Sequence, residues 1–494
     1  MMKKFKMLVG GKLVSSNSGK TFVSLNPATG KPLASFPSGN ESDARRAIDA
    51  AEKAGEKWKK VPPPKRGMVL LRFSQLLRQH KEELARLIAT EMGKVIAESR
   101  GDVQEAIDMA EYIAGEGRRL FSFTTTSELG NKFAMAIRVP VGVCGLITPW
   151  NFPVAIPVWK LAPALVCGNS VVLKPSSDTP LCALRVVQLL REAGVPDGVV
   201  NLVTGSGSAA GKELVVNERV RAVSFTGSKE AGLWIARNAG IKKLGLELGG
   251  KNAVIIMDDA DLNLALEGVL WAAFGTSGQR CTAASRVIIH EKVEKKFEKM
   301  LVGKAKKLRL GAGANPSSDV GPLINRAALE KVHRYTEIGL SEGAKLLCGG
   351  APAKGRGFFY KPTVFSGVTP KMRIAQEEIF GPTVSIISVS GIDESIKVAN
   401  SVEYGLSSSI YTKNISNAFK AIERIEAGLT YVNSSTIGSE VHLPFGGVKH
   451  TGNGAREGGW TAVEEFSELK TVYVDYSGKL QKAQIDEFEG KKKK

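Results

Sequence analysis

Cysteine is scarce in this chain and shows no pairing pattern. The five in 494 residues, Cys144, Cys167, Cys182, Cys281 and Cys348, are odd in number, with no C-x-x-C pair and no histidine pair at ligand spacing. That excludes a disulfide framework or a zinc centre as the organising device and implies a reducing compartment. Long apolar runs are also missing. No stretch approaches the roughly 20 apolar residues of a membrane span, and Met7-Leu8-Val9, after three lysines, is too short for a signal-peptide core. The chain is expected to be cytoplasmic, with no membrane partner and no bound metal. Aromatic residues are 7% and hydrophobic residues 43% of the total, the composition of an ordinary globular protein, and the length suggests two or three domains. Internal repeats are absent. The only low-complexity segment is the run of lysines at 491–494, which is expected to be disordered.

Acidic residues are outnumbered, 49 against 68 Lys and Arg, for a net charge of +19. Such a balance raises a basic, non-catalytic binding protein for nucleic acid or an acidic surface as one reading. The basic residues are interleaved with acidic ones, as in Lys81-Glu82-Glu83 and across 291–299. A salt-bridged surface follows, and no nucleic-acid partner is expected.

Residues 5–38 alternate short apolar runs with turn residues and predict a pair of strands. From Glu41 the period becomes helical, with Asp43 in the first turn and Ala47, Ile48, Ala51 and Ala54 on one face; Pro62-Pro63-Pro64 is expected to end that helix. Residues 66–120 predict helix with breaks near Gly93 and Gly101. Phe133, Met135, Ile137 and Val139 alternate with small or polar residues, a period-2 ribbon outside the main core that needs a partner to bury one face. From 141 onward strands (141–147, 170–174, 199–203, 221–225) alternate with helices (156–166, 180–192), the pattern of a parallel doubly wound sheet that binds a nucleotide at its carboxyl edge. A second α/β region starts with a strand at 252–257, with helices at 294–307 and 327–342.

Two glycine loops compete for phosphate. Gly205-Ser206-Gly207-Ser208-Ala209-Ala210-Gly211 looks like a dinucleotide fingerprint with one residue too many. Phe225-Thr226-Gly227-Ser228 leaves a strand and opens a helix, whose N-terminus offers free N–H groups. Chemistry concentrates in three further stretches. In 274–286, Cys281 follows two glycines and stands between Arg280 and Arg286, an electropositive setting expected to favour the thiolate. In 244–251, Glu247 lies in an apolar, glycine-rich run that should raise its pKa and suit it as a general base. In Thr148-Pro149-Trp150-Asn151-Phe152-Pro153, Asn151 can present a side-chain N–H to a developing oxyanion.

These three motifs in this order resemble the NAD(P)-dependent aldehyde dehydrogenases. The resemblance runs from Asn26-Pro27-Ala28-Thr29-Gly30 through Glu378-Ile379-Phe380-Gly381-Pro382 to 444–449. It implies an α/β fold with a Rossmann-type cofactor domain (1–120 and 141–249), a catalytic domain (250–450), and an oligomerisation arm with the C-terminal tail (121–140 and 451–494). It also implies a homo-oligomer, dimer or tetramer, in which a strand at 471–476 joins the ribbon. The implied reaction oxidises an aldehyde to the carboxylic acid: Cys281 attacks, Asn151 and the Cys281 N–H hold the oxyanion, and Glu247 activates the water that hydrolyses the thioester.

The same resemblance assigns NADP or NAD to Ile147, Thr148, Pro149, Trp150, Lys174, Ser176, Ser177, Gly207, Gly211, Phe225, Thr226, Gly227, Ser228, Leu248, Gly249, Glu378 and Phe380. Lys174 would bind the adenosine ribose, Glu378 the nicotinamide ribose, and Phe380 would pack beside the nicotinamide. Ser177 stands where members preferring NAD carry a glutamate, so NADP is expected to be accepted at least as well. The substrate pocket is assigned to Trp159, Arg280 and Thr282, with 433–443, including Glu440 and His442, as a wall. Trp159 occupies the position where succinate-semialdehyde members carry an arginine, which favours an apolar or broad aldehyde. Arg280 and the Gly-Ser-Glu-Val-His-Leu-Pro-Phe-Gly-Gly stretch keep an amino-acid semialdehyde open. A CoA-acylating relative would characteristically lack Glu247.

Overall fold

The structure is a computed structural model and describes residues 2–485. The lysines at 491–494 lie outside them. Three of the five sheets among the described residues organise the chain. The first has seven strands in the order Lys243–Glu247, Val220–Thr226, Val143–Ile147, Ser170–Lys174, Val200–Leu202, Met7–Val9 and Lys12–Val14. Its first five strands are parallel, and Val143–Ile147 and Ser170–Lys174 are buried at every residue. Continuous apolar strands of this kind require cover on both faces. From Val143–Ile147 the chain builds outward one way through Ser170–Lys174, then returns to place Val220–Thr226 on the other side. The order reverses between Val143–Ile147 and Val220–Thr226, and their carboxyl ends open the crevice where a doubly wound sheet binds its ligand.

The second sheet also has seven strands: Lys345–Cys348, Thr363–Ser366, Thr383–Val389, Ala284–His290, Asn252–Ile256, Ser407–Tyr411 and Leu429–Val432. All its pairs are parallel except the first. The third is antiparallel and holds Phe123–Thr126, Lys132–Pro140 and Ser467–Asp475. Here the expected alternation is present. Ala134 and Ala136 face inward, while Phe133 and Ile137 stay 44% and 36% exposed. Within the C-terminal segment assigned to the arm, Ala462, Val463 and Phe466 pack into the core beside the first sheet. Among its described residues, only strand Ser467–Asp475 pairs into the ribbon.

Local signals near the N-terminus act mostly as their chemistry dictates. Asn40 and Asp43 form a reciprocal capping box at the start of helix Glu41–Trp58. The prolines do not end that helix: it stops at Trp58, and Pro63 and Pro64 begin helix Pro63–Gln79, where a missing N–H costs nothing. Gly93, at φ +86°, separates helices Lys81–Glu91 and Ile96–Glu116. Gly101 breaks nothing, because the second helix runs through it on the strength of a face buried at Val103, Ala106, Ile107 and Ala110. Residues 5–38 form two hairpins, Met7–Val9 with Lys12–Val14 and Thr21–Asn26 with Lys31–Pro37, in place of one pair of strands. None of the described helices is long and apolar enough to cross a membrane.

Candidate active site

Cys281 follows a backbone that few sequences can adopt. After helix Leu262–Phe274, residues Thr276, Ser277 and Gly278 all have positive φ, of 50°, 57° and 69°. Such conformations are uncommon for non-glycine residues and persist only where the surroundings over-determine them. Glu98 accepts hydrogen bonds from the Thr276 N–H (2.7 Å) and hydroxyl (3.3 Å), and the Ser277 hydroxyl donates to the Gly321 carbonyl at 2.8 Å. The Gln279 amide donates to the carbonyls of Thr276 and Pro322 and accepts from the Ile324 N–H. Beyond the turn, Asn252 Nδ2 donates to the Cys281 carbonyl at 2.7 Å. Gly250 packs against that carbonyl so closely that a Cβ would stand 2.4 Å from it.

The electropositive setting expected from sequence is absent. Arg280 turns to Thr276 and to Glu98, with Nη2 3.0 Å from the Glu98 carboxylate, and Arg286 donates to the carbonyls of Lys251, Val398 and Ala399. Burial, followed by the carboxylates of Glu247 and Glu378, pushes the Cys281 thiol up to about 12. The resting group is therefore a thiol.

Glu247 ends the edge strand Lys243–Glu247. It is buried, and neither carboxyl oxygen has a hydrogen-bond partner. Burial and then Glu457 hold it well above the usual carboxylate range, against the pull of Lys160. Lys160 is itself paired with Glu457 and donates to Ser224 Oγ at 2.8 Å. No local sequence signal marks this pair, whose members lie 297 residues apart. Asn151 gives one Nδ2 hydrogen to the Gln279 carbonyl at 3.1 Å, and its buried Oδ1 has no partner.

Two cavities meet at Cys281 and Thr226. The first, about 210 Å³, lies at the switch point of the sheet. Pro149, Trp150 and Asn151 reach it from one strand end, Thr226, Gly227 and Ser228 from the next, and Leu248 and Gly249 from the third. The second half of the chain contributes Glu378 and Phe380, together with Ala328 and Lys331, which sequence reasoning missed. Phe380 has φ +62° and meets the Trp150 ring edge-on at 5.4 Å. Glu378 accepts from the Gly250 N–H at 2.9 Å, and a Cβ on Gly249 would stand 2.6 Å from its carboxylate. Ser228 caps helix Lys229–Asn238, whose first N–H groups point at the cavity end of the strand. A nucleotide fits this cradle: a helix N-terminus opens at Ser228 on its edge, and the hydroxyl of Thr226 is buried without a partner.

Other predicted residues stand apart from that cavity. Ile147 and Phe225 are buried strand residues beside it. Lys174, Ser176 and Ser177 form a second group with 205–211, at the ends of the two neighbouring strands. Lys174 is buried, and its ammonium is lowered to about 8 by desolvation. Its Cδ would be 3.5 Å from a Cβ on Gly211. The Ser177 hydroxyl donates to the Gly205 carbonyl at 3.1 Å, and Gly207–Gly211 forms one turn of π-helix.

The second cavity, about 430 Å³, is lined by Trp159, Arg280 and Thr282 among others. Phe152, Trp271 and Phe445 add aromatic wall, and Glu247 and Glu457 stand at the Cys281 end. From the 433–443 loop only Gly438 and Ser439 reach it; Glu440 and His442 pair with each other at 3.4 Å and are exposed. A nucleophile, an unpaired carboxyl group and an amide donor thus converge between a cavity of aromatic and charged walls and a nucleotide-shaped cleft.

A family model described as the aldehyde dehydrogenase family matches residues 13–472. An α-ketoglutarate semialdehyde dehydrogenase of Haloferax volcanii is 43% identical over 480 residues, covering 95% of this chain and 99% of its own length. The 2,5-dioxopentanoate dehydrogenase of Saccharolobus solfataricus is 40% identical over 462 residues, covering 92% and 96%. Among solved structures, an NAD-dependent aldehyde dehydrogenase from Sinorhizobium meliloti superposes with a TM-score of 0.94 at 37% identity, over 97% of this chain and 96% of that one.

Proposed function

The chain belongs to the aldehyde dehydrogenase family, and from that premise we propose that it oxidises a semialdehyde whose far end carries a carboxylate, with Cys281, Glu247 and Asn151 as its catalytic residues. The enzyme is an NAD(P)-dependent aldehyde dehydrogenase. Cys281 Sγ, as the thiolate left when its proton passes to solvent, adds to the aldehyde carbon from the floor shared by both cavities. The oxyanion takes the second Asn151 N–H and the Cys281 backbone N–H, donors worth about 3 kcal/mol each in a dry site. Ser228, Gly249 and Glu378 would hold NAD(P)+, which would accept the hydride lost as the oxyanion collapses to the thioester. Glu247 then takes a proton from water as that water attacks the thioester, releasing the acid. A carboxyl group kept free of partners beside Cys281 supports hydrolysis over acyl transfer to a thiol.

The observation that carries the substrate reading is Arg280. Its Nε and Nη2 are held by Thr276 and Glu98, whereas Nη1 has no hydrogen-bond partner among the described residues, and the side chain lines the cavity with Cys281. The indole at Trp159 removes one cation from the pocket; Arg280 supplies another. The test is kinetic. Arg280→Gln, which keeps a donor for Glu98, should raise KM for 2,5-dioxopentanoate at least tenfold, the scale of a lost charge-assisted hydrogen bond of about 1.5–3 kcal/mol. KM for pentanal should change far less. An equal loss for both substrates would make Arg280 a brace for the cysteine turn and remove the carboxylate reading.

We take the first sheet with its helices as the cofactor unit and the second as the catalytic unit. The arm carries Phe121, Phe123, Phe133, Leu469 and Tyr473 on its exposed surface, and so many large apolar groups on a three-stranded ribbon support burial against a second copy. Five free cysteines support a reducing, cytoplasmic setting. On cofactor choice, Ser177 itself adds no negative charge to the Lys174 group, where Asp178 is the carboxylate acting on Lys174, so the 2′-phosphate of NADP meets one carboxylate fewer there than it would beside a glutamate. Ser177→Glu is expected to shift the kcat/KM ratio toward NAD by at least tenfold, since a charge pair at surface-like dielectric is worth about 1–4 kcal/mol. An unchanged ratio would place the ribose discrimination elsewhere.

A further inference from the structure

We propose that Glu105 is a specificity-determining residue: its carboxyl group lies unpartnered on the wall of the substrate cavity at the end where Arg280 stands, and its charge decides whether that end admits an anionic tail. The proposal deepens the carboxylate reading above and rests on it. Helix Ile96–Glu116 turns Glu98, Gly101, Asp102 and Glu105 onto the cavity, the spacing of one helical face. Two of the three acidic groups are occupied. Glu98 holds Arg280 and Thr276. Asp102 accepts from Lys94 at 2.7 Å and from the Ala155 N–H at 2.8 Å. Glu105 has no hydrogen bond or ion pair among the described residues and is half-buried.

The Phe152 ring shows that the charges gather at one end of the cavity. Lys94 Nζ lies 3.5 Å from its centroid and the Arg280 guanidinium 5.3 Å. Around Glu105 stand Asp102, Glu98 and Asp108 from its own helix, Lys94 from the turn before it, and Arg280 from the cysteine turn. Glu247 and Glu457 face the same cavity from the Cys281 end. Lys94 with Asp102 and Arg280 with Glu98 are two neutral pairs, and Asp108 does not line the cavity, so Glu105 sets the sign of the wall at this end. Burial and then Asp102 push its carboxyl up to about 7, with Lys94 and Arg280 opposing. Protonated, it donates its O–H to a substrate carboxylate held by Arg280. Ionised, it repels that carboxylate across a poorly screened space.

The experiment compares kcat/KM for 2,5-dioxopentanoate with kcat/KM for pentanal between pH 6 and 9. The first carries a carboxylate ionised throughout and the second carries none. Both pass through the same Cys281 and Glu247 steps, so titrations of those groups divide out of the ratio. In the unmodified enzyme the ratio should fall roughly tenfold as pH rises through 7, as Glu105 charges and repels the anion. In Glu105→Gln the ratio should hold its acid-side value across the range. A ratio above one that does not move with pH in the unmodified enzyme overturns the role of Glu105, as does the same fall persisting in Glu105→Gln. A ratio near one at every pH, unaltered by Arg280→Gln, is a different failure: it removes the carboxylate reading and this proposal with it.

Discussion

The Cys281→Ala variant is expected to lose more than 99% of aldehyde oxidation while binding NAD(P)+ with an affinity close to that of the unmodified enzyme. The chemistry requires a covalent bond at Sγ, and Cys281 is the one thiol lining either cavity among the described residues. The fold does not depend on that sulfur. What anchors the residue is its backbone: the carbonyl accepts from Asn252 and packs on Gly250. Alanine keeps both contacts, so the turn and the oxyanion N–H should survive. NAD(P)H absorbance measures turnover, and titration of nucleotide binding measures the intact cleft. Retention of more than about 1% of turnover, a barrier change below about 3 kcal/mol, would remove Cys281 from the reaction. The pH dependence carries a sign as well. A thiol pushed up to about 12 is a nucleophilic thiolate in only a small fraction of molecules at neutrality. Acylation in the unmodified enzyme should therefore accelerate as pH rises through the neutral range.

How much of this could be seen in the sequence depended on how local each cause is. Helix Pro180–Glu192 and strand Ser170–Lys174 fall where periodicity places them, because a buried strand and an amphipathic helix are written in consecutive residues. The order of strands around Val143–Ile147 places Trp150, Asn151, Gly227 and Ser228 at one crevice. Orientation was not legible. Arg280 and Arg286 bracket Cys281 in sequence, yet strand Ala284–His290 turns Arg286 away to backbone carbonyls and Glu98 draws Arg280 aside. Adjacency along the chain sets no direction for a guanidinium at the end of a long side chain. Gly101 misled for a related reason: glycine costs a helix only about 1 kcal/mol relative to alanine, which one buried face outweighs. Contacts between distant segments left no trace at all, as with Lys160 and Glu457 or with Glu98 and the cysteine turn.

Glu247→Gln is expected to separate the two halves of the reaction. The amide keeps the shape and volume of the carboxyl group but takes no proton, so acylation and hydride transfer proceed once per site and hydrolysis stalls. Rapid mixing should give a burst of NAD(P)H of up to one equivalent per site, followed by a steady rate lower by roughly 10²–10⁴, the range for loss of a general base. In the unmodified enzyme the base is the ionised form. Burial and Glu457 raise the Glu247 pKa, so its active fraction, and with it kcat where deacylation limits, climbs with pH; the variant should lack that climb. Stability supplies an independent check with a definite sign. The fold favours the protonated carboxyl over the ionised one, so this contribution is fully present below the unfolded-state value and is lost as pH rises through the raised folded value. Glutamine stays neutral throughout, and the variant should hold its melting temperature toward alkaline pH better than the unmodified enzyme. A variant that melts lower at every pH has lost packing, and its slow turnover would carry no mechanistic weight. A variant that melts normally, shows no burst and turns over at the original rate would make Glu247 a structural residue and leave transfer of the acyl group to a thiol as the better account of the site.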